Sequence, residues 1–205
     1  MRRTLRSVLA AVALLSALSA ASVAEAAPAP TVDGHRIATH AHARRTTLPP
    51  RKVWLAKVRT KVAGADAVID AALAAAPKGE RPAMVLDIDN TSIQTHYAWP
   101  KPVRPVRKVA RYAARHGVTL FFVTGRAQRG LTQVEPVLTA AGYRYQGICG
   151  RRPGEGLTAG KQRCRAGIAA RGYTVVLDIG NRATDLRGDH VGTPIKLPSY
   201  YGLLS

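Results

Sequence analysis

The stretch Met84-Val85-Leu86-Asp87-Ile88-Asp89-Asn90-Thr91 decides how the rest of the chain is read. Residues 83–86 are a short apolar run, partly β-branched and preceded by Arg81-Pro82, which predicts a buried strand. Asp87 and Asp89 stand at its end with one apolar residue between them. Side chains two apart on a strand point the same way. Strand geometry that persists to Asp89 therefore brings both carboxylates out together at the carboxyl end, where open α/β sheets bind ligands. Two like charges so close ask for a divalent cation or a shared proton. Taken alone, the same residues also fit an ordinary strand running into an Asp/Asn/Thr turn. The remainder of the chain decides between the two.

Outward from this stretch, apolar strands alternate with helical patterns. Residues 118–123 predict a second strand, ending in Thr124-Gly125-Arg126. Residues 143–149 predict a third, 173–179 a fourth and 194–197 a short fifth. The fourth ends in Asp178-Ile179-Gly180-Asn181, with Asp185 soon after. Helices are expected over 106–116, over 132–141 with a kink or break at Pro136, and over 157–171, which carries Lys161. Residues 51–76 read as one or two helices, bent or interrupted at Gly64. Residues 94–105 are Pro-rich and aromatic, a loop suited to shaping a pocket or to covering the core with Tyr97 and Trp99. This alternation predicts an α/β fold with a parallel sheet built from βαβ units. Neither a GxGxxG nor a GxxxxGK[ST] pattern occurs, so nucleotide-cofactor folds of those kinds are unsupported.

In a parallel sheet the polar groups after the first, second and fourth strands gather on one edge. Asp87, Asp89, Thr124, Gly125, Arg126, Asn181 and Asp185 would meet there, with Lys161 arriving from the preceding helix. Phosphoryl transfer needs such a set: a nucleophile, charge and hydrogen bonds on the equatorial oxygens, and a proton donor for the leaving oxygen.

In that order, these groups resemble the four motifs of the haloacid dehalogenase (HAD) superfamily. More narrowly the chain resembles its secreted acid phosphatases of the class B and plant vegetative storage protein type, including the ending Lys196-Leu197-Pro198-Ser199-Tyr200-Tyr201. The resemblance covers residues 81–201. It implies a Rossmann-like three-layer parallel sheet and a Mg²⁺-dependent phosphomonoesterase acting on a small phosphorylated substrate. Asp87 would be the nucleophile and a metal ligand. Asp89 would protonate the leaving alcohol, then activate water, and turn its carbonyl to the metal. Thr124 and Gly125 would hold phosphate oxygens, with Arg126 supporting the substrate. Lys161 would neutralise charge, and Asn181 and Asp185 would complete the metal site. The chain departs from the pattern at Asn181, where many members carry Asp; an amide removes a negative charge from a site for a hard cation. The loop after the Asp pair is short, so little or no cap is expected. A non-catalytic relative that binds phosphorylated or polyanionic ligands is the second reading, motivated by Asn181 and the charge.

Arg2, Arg3 and Arg6, an apolar core over residues 8–18 and Ala24-Glu25-Ala26 read as a secretory signal over residues 1–26. Its core is shorter than the ~20 residues of a membrane span. Residues 27–50, rich in Ala, Pro, Thr, Arg and His, read as a flexible leader, and residues 51–205 as the catalytic domain. Loss of residues 1–26 takes away three arginines and Glu25 and lowers the formal charge from +19 to +17. Such a field attracts anions. Nucleic acid is not an expected partner, because no recognition motif accompanies the arginines and aromatic residues are few. Cys149 and Cys164 form a disulfide in an exported protein or remain two buried thiols.

Overall fold

The computed structural model describes residues 47–204. The signal-like stretch and most of the leader lie outside the described residues. Residues 48–50 belong to the folded unit: Leu48 packs against the core, and the Pro49 carbonyl accepts a hydrogen bond from the Tyr97 hydroxyl at 2.8 Å.

Two short helices open the unit, α1 (Arg51–Lys61) and α2 (Ala65–Ala75), and Gly64 caps the start of the second. β1 (Arg81–Leu86) follows, then α3 (Arg104–Arg115), with Pro105 in its first turn where no amide partner is lost. β2 (Thr119–Ala127) runs longer than the apolar pattern predicts and takes Thr124, Gly125 and Arg126 into the strand. A 3₁₀ turn (Gln128–Gln133) and α4 (Glu135–Ala140) replace the single helix expected there, and Pro136 lies in the first turn of α4. β3 (Gly147–Arg151), α5 (Leu157–Ala169), β4 (Tyr173–Gly180), a 3₁₀ turn (Ala183–Asp185) and β5 (Thr193–Lys196) complete it.

The third strand begins later than expected. Tyr143 and Tyr145 alternate like strand residues, but both rings pack edge-on against Phe122 instead of joining the ladder.

All five strands are parallel, in the order β3-β2-β1-β4-β5. The chain builds outward from β1 to β3, then returns to place β4 on the other side of β1. That reversal creates a crevice at the carboxyl ends of β1 and β4. Parity along β1 sorts the layers. Met84 and Leu86 join the large core shared with α1, α2, α3 and α4, while Ala83 and Val85 join the smaller one with Cys164 and Ile168 of α5. Val106, Val109, Ala110 and Ala113 give α3 a buried stripe at helical spacing. Among the described residues no helix is long and apolar enough to cross a membrane.

Candidate active site

Continuing the parity of β1 puts Asp87 on the same face as Val85, the face covered by α5. Lys161, in the second turn of α5, reaches it there. Its Nζ lies 3.2 Å from Asp87 Oδ1 and also donates to Asp185 Oδ1. All three side chains are almost fully buried, Lys161 at 1%, Asp87 at 5% and Asp185 at 5% exposure. Burial pushes the Asp87 carboxyl up to about 7, helped by the Asp185 charge and opposed by Lys161. Burial alone would lower Lys161, but the two carboxylates outweigh it and raise the ammonium above its ordinary value.

Gly180 lets Asp185 come this close. A Cβ at that position would overlap the Asp185 side chain. Asp185 is further fixed by the Arg182 amide, which donates to its Oδ2 at 2.7 Å. Beneath the same loop, fully buried Arg165 donates to the carbonyls of Asp185 (3.0 Å) and Asp189 (3.3 Å) and to that of Arg187.

Asp89 is held differently. Arg126 grips both its oxygens, and Thr95 Oγ1 donates to Oδ1 at 2.7 Å. This corner is open, with the two ion-pair side chains 30% and 29% exposed. Trp99, on the loop after the Asp pair, stands with its ring 5.6 Å from the Arg126 guanidinium carbon, whereas Tyr97 stacks on core Trp54 at 4.8 Å. Thr124 is buried within β2, where its Oγ1 accepts the Arg126 amide at 3.2 Å. The Gly125 carbonyl is taken by Arg151 at 2.8 Å.

Asn181, just past β4, turns its amide nitrogen to the Asp89 carbonyl (3.1 Å) and the Leu204 carbonyl (2.7 Å). Asn90 Nδ2 donates to the same Leu204 carbonyl at 2.9 Å. The chain's ending therefore ties together the loops after β1 and β4. Thr95, Arg165 and Leu204 are the participants that sequence reasoning missed. Arg165 had a readable signal, four residues after Lys161 on one helix face; a main-chain carbonyl at Leu204 had none.

Among the described residues no group of three or more His, Cys, Asp or Glu side chains is arranged to hold a metal. The donor chemistry nonetheless fits a hard cation. The Asp87 carboxylate and the Asp89 carbonyl are oxygen donors at the crevice between β1 and β4, and Asn181 carries an amide oxygen but turns its nitrogen toward that carbonyl. With Asp87, Asp89 and Asp185 all ionised, three carboxylates face the two cations Lys161 and Arg126 and one negative charge is left over, which a proton on Asp87 or a bound cation would answer. Asp185 is less free for a metal than its sequence position suggests, because both its oxygens already have donors.

A parallel α/β sheet with an Asp-x-Asp at its switch point and a buried Lys beside the first Asp defines the HAD-like class. A family model described as "HAD superfamily, subfamily IIIB (Acid phosphatase)" matches residues 94–203, more than half of the chain, and the chain belongs to that family. The matched span starts past Asp87 and Asp89. Enzymes of this superfamily typically use a divalent metal ion. No curated protein matches the chain significantly. Among solved structures, the class C acid phosphatase from Bacillus anthracis is similar at 19% identity and a TM-score of 0.55, over 67% of this chain and 66% of that one. The same enzyme with tungstate bound is similar at 18% identity and a TM-score of 0.55, over 67% of each chain. The chain thus spans about two thirds of the length of these phosphatases, and at such identity the likeness speaks to fold.

Residues 87–103, between β1 and α3, hold only turns and the isolated bridges Asp89–Ile93 and Ile93–Pro102, with no inserted cap domain. Cys149 and Cys164 are bonded to each other, joining β3 to α5 beside the smaller core.

Proposed function

We propose that the protein is an exported phosphomonoesterase that uses Mg²⁺ and passes through a phosphoaspartate on Asp87. The observation that carries this is the buried Lys161 ammonium between Asp87 and Asp185 at the sheet's switch point. Lys161 engages Asp87 Oδ1 and leaves Oδ2, which accepts from Thr91 Oγ1 at 3.3 Å, for attack on phosphorus. The P–O bond to the alcohol breaks as the Asp87–phosphorus bond forms, and Asp89 gives the leaving oxygen its proton. Asp89 then takes a proton from the water that releases phosphate. Thr124 and the Gly125 amide bind the phosphoryl oxygens. Asp87, the Asp89 carbonyl and Asn181, with Asp185 beside them, would hold a Mg²⁺ ion, which would supply positive charge against the phosphate. One solved structure of similar fold, a class C acid phosphatase, has tungstate bound, an oxyanion of phosphate-like charge.

Export rests on the basic, apolar and small-x-small order of residues 1–26 and accords with the Cys149–Cys164 bond. Asp87→Asn should abolish Mg²⁺-dependent hydrolysis of an aryl phosphate; wild-type turnover by that variant would remove Asp87 from the reaction. A second reading, a weak or inactive relative that binds phosphorylated ligands, is favoured by one observation. The Asn181 amide nitrogen faces the carbonyl that a metal would use. Absence of turnover by the native protein with Mg²⁺, Mn²⁺ or Co²⁺ would select it.

A further inference from the structure

Away from the crevice, α3 carries Arg104, Lys108, Arg111 and Arg115, all exposed. Their spacing of four, three and four residues puts them on one helix face, a ridge about 16 Å long at 1.5 Å per residue. A groove of about 1130 Å³ separates this helix from α1. Arg51 and Arg59 line one wall, Arg104 and Lys108 the other, with Lys101 at the loop; Asp66 is the one acid in its lining. A second hollow, of about 250 Å³, is lined by Arg104, Arg107, Lys108, Arg111 and Arg115 alone. Among the described residues none of these cations forms an ion pair. Like charges at such spacing destabilise the helix that bears them. The site described above uses none of them.

We infer that the groove between α1 and α3 binds a linear polyphosphate chain, which continues over the ridge toward Arg115. The occupant must be strongly anionic and thin enough to enter a concave cleft. Residues 27–46 carry Arg36, Arg44 and Arg45 against Asp33, so their net charge does not complement a basic groove. No aromatic ring lines the groove, which removes the stacking platform that single-stranded nucleic acid uses. A duplex presents a convex backbone that would touch the rims alone. Phosphate needs no ring, and arginine's fork matches its oxygens. The groove also adjoins the loop that serves the crevice. Gln94, in its lining, accepts from Arg51 Nε at 2.6 Å and donates to the Pro102 carbonyl, and the next residue is Thr95 on Asp89. This inference stands whether or not Asp87 is a nucleophile.

The test uses the full chain carrying Asp87→Asn, so that the probe is not consumed, and titrates it with fluorescent long-chain inorganic polyphosphate at two salt concentrations. Binding that weakens steeply with salt is expected. Arg104→Glu with Lys108→Glu should cost on the order of ten-fold or more in affinity, as each lost cation removes a phosphate contact. Arg129→Glu with Arg187→Glu, an equal charge change elsewhere, should leave it within about two-fold. Circular dichroism of each variant confirms folding. No binding at low salt, equal losses in both double variants, or tighter binding of duplex DNA or poly-glutamate at matched charge would each overturn the proposal.

Discussion

Arg126 holds Asp89 with both prongs of its guanidinium, Nε on Oδ2 at 2.8 Å and Nη2 on Oδ1 at 2.6 Å. An Asp89 held in this way cannot deliver a proton until one prong lets go. A phosphoryl group entering beside Thr124 offers Arg126 a competing anion. On the proposed mechanism Arg126 would therefore link substrate arrival to the release of Asp89, a finer role than substrate support alone.

Removing that link gives a first prediction. Arg126→Ala should lower kcat/KM for an aryl phosphate on the order of 100-fold, the scale of misplacing a catalytic group. Melting temperature should hardly move, because a part-exposed ion pair contributes about 0–1 kcal/mol. Arg126→Lys, which keeps the charge but not the fork, should recover little activity. Steady-state kinetics and a thermal melt read both arms.

Lys161 is predicted to behave in the opposite way. It is the buried cation between two buried carboxylates, and Lys161→Met leaves Asp87 and Asp185 facing each other without compensation. Breaking such an arrangement typically costs 3–5 kcal/mol. Urea unfolding of the variant should show a loss of that order together with loss of turnover. The double variant Lys161→Met with Asp185→Asn should regain stability but no activity.

How much of this was legible beforehand follows from periodicity. The apolar run 83–86 marks the strand and Asp87 as its end, and the parallel sheet then gathers the ends of the first, second and fourth strands on one edge; which face Asp87 takes is seen only in the packing, since the run is apolar on both faces. Lys161 was readable from its place in the ordered set of motifs, on the helix before the fourth strand, not from any signal of its own. Tyr143 and Tyr145 misled, since a turn that sends two rings into the core alternates like a strand. The break before α4 was half legible: Pro136 announces a discontinuity but does not say that the residues before it wind as 3₁₀. Thr95 and Leu204 act through contacts made only in three dimensions, a hydroxyl on Asp89 and a main-chain carbonyl, which carry no residue-type signature.

The Leu204 carbonyl bears on the metal. Asn181 donates to it and to the Asp89 carbonyl, so an oxygen at the Nδ2 position would face two other oxygens unless a cation stood among them. Asn181→Asp should therefore destabilise the metal-free protein and tighten Mg²⁺ binding on the order of ten-fold, because added ligand charge favours a hard cation. The melting temperature of the variant should rise more steeply with Mg²⁺ than that of the native chain. Equal slopes would place the metal away from Asn181.

Asp178 gives a prediction in pH. It is buried on the face covered by α5, its Oδ2 accepts the Gly192 amide at 2.8 Å, and its Oδ1 has no hydrogen-bond partner among the described residues. Burial pushes its carboxyl up to about 7, against the pull of the Gly192 amide and the Arg165 charge. The unfolded chain ionises near the ordinary 3.8. Between these values the folded state keeps a proton that the unfolded state has lost. The contribution is therefore fully present below about pH 4 and disappears as pH rises through 7. At about 1.4 kcal/mol per pH unit the gap sets a ceiling of about 4 kcal/mol. Asp178→Asn keeps the acceptor for Gly192 and removes the ionisation. It should leave stability near pH 4 little changed and raise it at pH 8, flattening the profile measured by urea unfolding across that range. A variant whose profile kept the native slope would assign the pH dependence to other groups.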